Sequence, residues 1–206
     1  MIKKEKKWYN KFLYEKFISY GLHLGCLKFF WNSKLKAYFL GSRKNFLIFD
    51  LGKILHSFRS AFMFLAKIHL SGKKILFVGF PKGNEKEFSS LCKQHGHYVL
   101  DNWPHGFFQK LKKSRFKDPK LKPVVLFVFS PLSNSLAIQE ANRYDIPVLA
   151  FINANESIEG VDFPIFANLN SIKGGLFSFS LFKQLFSLRQ PKNLPFTSRY
   201  RAKKNT

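Results

Sequence analysis

The sequence predicts an α/β domain built on a doubly wound parallel sheet of about five strands, between residues 46 and 188. Three observations carry this. Short runs such as "KILFVG" (74–79), "VVLFVFS" (124–130) and "PVLAFIN" (147–153) are apolar throughout, as strands buried on both faces are. Segments with helical spacing alternate with them. Gly and Asn residues punctuate the joins. This alternation is that of Rossmann- and flavodoxin-like sheets.

In chain order, "FLIF" (46–49) is the first strand, followed by Asp50. Residues 52–70 then place Ile54, Leu55, Phe58, Phe62, Leu65 and Ile68 at near-helical spacing, and Gly72 stops that helix. After the strand at 74–79, residues 84–96 read as a helix with Asn84 as N-cap and Gly96 as its C-terminal stop. "HYVLDN" (97–102) is the next strand and 124–130 a stronger one. A helix around 134–144, the strand at 147–153 and a helix over about 170–188 complete the domain. No internal repeat is present.

Composition narrows the function. The chain has 206 residues, 46% of them hydrophobic, enough for a real core. It carries 35 Lys and Arg against 12 Asp and Glu, a formal net charge of +23. Such self-repulsion calls for a polyanionic partner, nucleic acid or an anionic membrane. Between Glu15 and Asp50 there is no acid, and none follows Asp162, so charge is concentrated in the outer portions. The 26 Phe residues, with abundant Lys, Leu, Ser and Asn, point to A/T-rich codons and a reduced organelle's genome. The two cysteines, Cys26 and Cys92, form no CxxC pair, and a reducing compartment follows. The start "MIKKEKKWYNKF" lacks the apolar stretch of a secretory signal. No apolar run approaches the ~18–20 residues that span a bilayer, so no membrane insertion is expected.

Catalytic signatures are weak. After the strand at 74–78 comes "GFPKGNEK", where Phe80 and Pro81 replace the glycines of a dinucleotide turn and Pro81 removes an amide donor. At most a weak anion site aided by Lys82 remains. Cys92, His95 and His97 are close in sequence but lack a fourth ligand at suitable spacing, and a structural role is favoured. There is no G-x-S-x-G, and Asp50 has no His or Ser partner by spacing. No catalytic residue and no metal site is assigned.

The basic-aromatic material is the stronger signal. "WNSKLKAYFLGSRKN" (31–45) offers Trp31, Lys34, Lys36, Tyr38, Arg43 and Lys44, with Lys28 just before it. A second stretch, 102–117, offers Trp103, His105, Lys110, Lys112, Lys113 and Arg115. The tail 189–204 contributes Arg199 and Arg201 on an arm with two prolines. Cations for phosphates and flat rings for bases or riboses are the chemistry of RNA binding. Basic segments thus flank the 46–188 domain on both sides.

Several blocks also resemble a known family. "GLHLG" (21–25), "WNSKLKAYFLGSRKNFLIFDLGK" (31–53), "GKKILFVGF" (72–80), "IPVLAFINAN" (146–155) and "GVDFPIFANLNSIKGG" (160–175) are similar, in order, to small-subunit ribosomal protein S2. The resemblance, which runs from about residue 18 to 188, implies a basic arm (1–17), an S2-like α/β domain (18–188) and a basic tail (189–206), with a parallel α/β sheet, no catalysis, and binding to small-subunit rRNA and neighbouring proteins near the head–body junction. It places residues 31–45 and the region of Trp103–Gly106 at the rRNA surface. It implies no cofactor beyond a structural Mg at the RNA interface, and no homo-oligomer. Three departures stand out. Cys26 occupies the place of a second His, and "WPHG" (103–106) replaces W-L-G-G. Only about twenty residues lie where relatives carry a long antiparallel helical hairpin, too few for two long helices at 1.5 Å per residue. The trimmed chain and its residue usage suggest a mitochondrial, organelle-encoded member, with bacterial cytoplasm or plastid as the alternative. An RNA-binding regulator outside the ribosome, a nucleotide-binding enzyme and a membrane-surface protein remain the rival functions; residues 52–70 hold too few cations for the last.

Overall fold

The computed structural model describes residues 14–113 and 122–188. Among these, eight strands form two sheets. A small antiparallel sheet joins β1 (Leu24–Leu27), β2 (Phe39–Arg43) and β3 (Phe46–Phe49) in the order β1-β3-β2. The larger sheet holds β4 (Lys74–Val78), β5 (Tyr98–Leu100), β6 (Pro123–Val128), β7 (Val148–Ile152) and β8 (Phe163–Phe166) in the order β5-β4-β6-β7-β8. Every pair in it is parallel. Residues 14–19 are helical, and the further α-helices are α1 (Leu51–Leu70), α2 (Glu85–Gln94), α3 (Phe107–Lys113), α4 (Ser135–Arg143) and α5 (Ile172–Ser187).

The predicted class is therefore correct, with two changes of membership. Residues 46–49, expected to open the parallel sheet, belong to the antiparallel one. The cause is the turn Lys44–Asn45, whose φ angles of 47° and 65° match the two-residue hairpin turn that sends β3 back along β2. The fifth parallel strand is instead β8, which contains Pro164. As an edge strand paired only with β7, β8 tolerates a residue that cannot donate to a ladder.

Phenylalanine builds the core. Phe77 on β4 and Phe127 on β6 are cross-strand partners with rings 5.5 Å apart, and Phe182 of α5 meets both edge-on at 5.3 and 5.1 Å. Phe88 of α2 packs edge-on against Phe77 at 5.3 Å on the same side. The alternate residues Leu76, Val78, Leu126, Val128 and Ala150 are fully buried too, so both sheet faces are covered. Edge-to-face pairs of this kind add about 0.5–1.5 kcal/mol each beyond their buried area. Phe17, the last residue of the expected N-terminal arm, is fully buried between Phe58 and Phe177.

Local signals explain the helix ends. Asp50 caps α1 by accepting the amides of Gly52 and Lys53, and Gly72 follows its end at φ 70°. Gly96 ends α2 in the same manner at φ 67°. Asn84 stands at the N-cap position of α2 but makes no capping bond, and its Oδ1 is buried without a partner. Its backbone (φ −137°, ψ 34°) is not the extended form that caps use; Glu85 accepts the Gly83 amide instead.

Candidate nucleic-acid interface

The 31–45 block folds as a 3-10 helix (Ser33–Tyr38) leading directly into β2. Asn32 organises it. Its side-chain oxygen accepts the Lys34 amide at 3.0 Å, its side-chain amide donates to the Glu156 carbonyl at 3.0 Å, and its backbone amide donates to the Ala154 carbonyl at 3.0 Å. The block is thus bolted to the loop after β7. Tyr38 lies flat on Phe166 of β8, ring centroids 3.9 Å apart at 28°. Trp31 meets Phe39 edge-on at 5.8 Å and is half-buried. Of the two rings that the sequence nominated for base stacking here, Tyr38 braces the small sheet against the large one and Trp31 packs within the small-sheet unit.

The cations of this block remain outside. Lys28, Lys34, Lys36, Arg43 and Lys44 are all exposed. The Lys28 amide donates to the Asn45 carbonyl at 2.9 Å, which brings Lys28 beside the turn bearing Arg43 and Lys44. Lys34 is paired with Glu159, an exposed bridge that holds the Glu159 carboxyl below the usual range. Sequence reasoning passed over the apolar neighbours of these cations. Phe29, Phe30, Leu40 and Phe46 are 87%, 69%, 75% and 48% exposed. The signal in the sequence was only that these large apolar residues lie within eighteen residues of acid-free chain among the cations; their exposure shows in the packing alone.

The second predicted stretch lies elsewhere. It follows β5, the edge strand opposite β8, and four strand spacings separate those edges by about 19 Å. The two stretches do not converge on one site. Trp103 is half-buried against Phe107 and Phe108, and its indole N–H donates to Glu140 at 2.9 Å. His105 and Lys110 are exposed. Lys112 and Lys113 end α3; their side chains, together with Arg115, Arg199 and Arg201, lie outside the described residues.

The carboxyl ends of the parallel strands form a crevice of about 460 Å³ at the point where strand order reverses between β4 and β6. Doubly wound domains place ligands there. In this chain the turn after β4 packs against the start of α5. A Cβ at Gly175, in the first turn of α5, would overlap the Lys82 carbonyl oxygen and lie 2.9 Å from the Lys82 nitrogen. Ser171 caps the same helix by accepting the Gly174 amide at 3.0 Å, and the Lys82 ammonium is turned onto the Asn170 carbonyl at 3.2 Å. Five asparagines line the crevice, Asn102, Asn134, Asn153, Asn155 and Asn170. Its buried Glu156 accepts the Ser130 hydroxyl at 3.0 Å and the Asn153 amide at 2.7 Å; burial raises its carboxyl pKa.

The predicted Cys/His neighbourhood is a buried hydrogen-bonded pair. The Ile75 amide donates to His97 Nδ1 at 3.3 Å, so in the neutral ring Nε2 carries the proton and donates to His69 Nδ1 at 3.0 Å. Burial, reinforced by His69, Lys74 and His95, lowers His97 to about 3. Burial also lowers His69 and raises the Cys92 thiol. Among the described residues no three His, Cys, Asp or Glu are grouped so as to hold a metal. None of their helices is long and apolar enough to cross a membrane.

Comparison with known proteins gives one answer. The sequence profile of the family Ribosomal protein S2 matches residues 17–116 and 108–184. The two matched segments meet in the short connection between β5 and β6. Similar curated proteins include those of Desulforapulum autotrophicum (27% identical, covering 74% of this chain and 70% of the relative), Buchnera aphidicola (29%, 84% and 87%) and Campylobacter lari (29%, 74% and 75%). Each carries the name small ribosomal subunit protein uS2.

Proposed function

From the premise that this chain belongs to the ribosomal protein S2 family, we propose that it binds small-subunit rRNA through its basic strips and supports mitochondrial translation. The family is one of structural small-subunit ribosomal proteins, so the chain is not an enzyme but a component of the ribosome. The finer assignment is supported above all by the disposition of Lys28, Lys36, Arg43 and Lys44. These cations are exposed on a rigid element that carries no acid from residue 16 to 49.

Mechanistically the α/β domain is a rigid block. Its exposed cations neutralise phosphates of folded rRNA and release condensed counterions, while the remaining surface meets neighbouring small-subunit proteins. Arg199 and Arg201 on the tail, and Arg115 with Lys112 and Lys113 between β5 and β6, extend the same charge. Phe80 and Pro81, standing where a dinucleotide turn needs glycines, argue against the nucleotide-binding alternative. Mitochondrial residence rests on residue usage and on the short β5–β6 connection; the bacterial relatives keep bacterial cytoplasm, and a plastid, as alternatives. A regulator outside the ribosome is the rival with most in common, since it uses the same strips.

The test is binding of the purified full chain to small-subunit rRNA across a salt series. The expected result is a linear fall of log K with log salt, with a slope of about −0.7 to −0.9 per phosphate neutralised. Affinity that does not respond to salt contradicts the proposal.

A further inference from the structure

The outer face of the β1-β3-β2 sheet is built from cross-strand rows. Leu27, Phe46 and Arg43 are direct neighbours across the three strands, and Leu24, Ile48 and Gly41 form the next row. Directly opposed residues of antiparallel strands point to one side. Leu47 and Phe49, which alternate with Phe46 and Ile48 on β3, are buried, so both rows face outward. Gly41 leaves the second row open: nothing lies within 4 Å of where its Cβ would be. Phe29 and Phe30 project in the turn leaving β1, and Leu40 at the irregularity of β2. Lys28, Arg43 and Lys44 stand at the same end of the sheet as Phe46 and Leu27.

Exposed apolar rows beside a turn with two open aromatic rings mark a binding surface. Its charge decides among occupants. A protein partner would have to supply acids to this rim, whereas RNA brings a phosphate with every nucleotide and a flat base beside it. Duplex RNA keeps its bases stacked and its major groove closed, so open phenyl rings serve unpaired nucleotides. We propose that this face binds unpaired RNA nucleotides, with bases stacked on Phe46, Phe29 and Phe30 and phosphates held by Lys28, Arg43 and Lys44. The proposal rests on the rRNA-binding reading above and assigns stacking to phenylalanines instead of Trp31 and Tyr38, whose rings are spent on Phe39 and Phe166.

The experiment compares the full chain with two variants, Phe29→Ser/Phe30→Ser/Phe46→Ser and Arg43→Gln/Lys44→Gln. The probes are a labelled oligouridine and an RNA duplex of equal length, read by fluorescence anisotropy over a salt series. The expected result is that the Phe variant loses about tenfold or more in oligouridine affinity, with duplex affinity and salt slope retained. The cation variant is expected to flatten the slope by about 0.7 for each phosphate that it no longer neutralises. All five positions are exposed, and unchanged thermal melting verifies folding. Photo-crosslinking of a thiouridine-substituted oligouridine supplies a second readout, with adducts expected within residues 27–46. Unchanged oligouridine affinity in the Phe variant, or adducts confined to other regions, overturns the proposal, assigns the face to a protein neighbour and leaves the rRNA-binding reading standing. Failure of the unmodified chain to bind either probe overturns both.

Discussion

Glu140 on α4 receives the Trp103 indole N–H on one carboxylate oxygen at 2.9 Å and the Phe108 backbone N–H on the other at 2.7 Å. One side chain thereby fixes both the turn leaving β5 and the start of the basic helix α3. Glu140→Ala leaves two half-buried donors without their acceptor, at a cost of about 1–3 kcal/mol. Chemical denaturation should show that loss. Glu140→Gln keeps one acceptor oxygen and should recover part of it; a neutral Ala variant would remove the clamp from the account.

Gly175 permits α5 to abut the loop that follows β4. Gly175→Ala drives a methyl group into the Lys82 backbone, which cannot yield as a flexible side chain would. A loss of about 1–3 kcal/mol is expected, the range for overpacking a rigid site. The same substitution at Gly41, where the space is open, should shift stability by less than about 0.5 kcal/mol. Thermal melts of the two variants side by side check the contrast, and equal melting temperatures would contradict it.

The His69–His97 pair makes stability fall with acid. Both rings are buried and neutral, packed with His95, Lys74 and Phe186, and their folded pKa values lie below the ordinary 6.5. A depressed value means the unfolded chain takes up protons first. The contribution is complete above pH 6.5 and is lost as pH falls toward about 3, the value of His97. The slope reaches about 1.4 kcal/mol per pH unit for each histidine. Glu156, raised by burial, has the opposite sense: its contribution is present below its ordinary 4.5 and lost as pH rises through its folded value. Urea unfolding of wild type and His97→Gln from neutral pH to 5 separates the two. The variant should be less stable at neutral pH and flatter with acid, whereas parallel curves would show that the pair does not titrate on unfolding.

Sequence patterning carried far in the parallel sheet because strands such as Lys74–Val78 and Val148–Ile152 are buried on both faces and cannot be polar. It misplaced Phe46–Phe49 because a short apolar run has no direction until its turn is known, and Lys44–Asn45 is not one of the common hairpin dipeptides. It passed over Phe163–Phe166 because Pro164 disguises an edge strand. In the candidate site, cations were legible and aromatics were not. Lys28, Arg43 and Lys44 are exposed as their charge requires, but Trp31, Tyr38 and Trp103 are claimed by Phe39, Phe166 and Glu140. Composition reports which rings exist; only packing tells which faces are already covered.

The central claim is that the chain works as an rRNA-bound part of a mitochondrial small ribosomal subunit. Density-gradient sedimentation of a native organelle lysate, following this chain at low and moderate salt, tests it most directly. Co-migration with the small subunit that persists in moderate salt is the predicted result. Migration at the top of the gradient, or with membranes at every salt concentration, would contradict it.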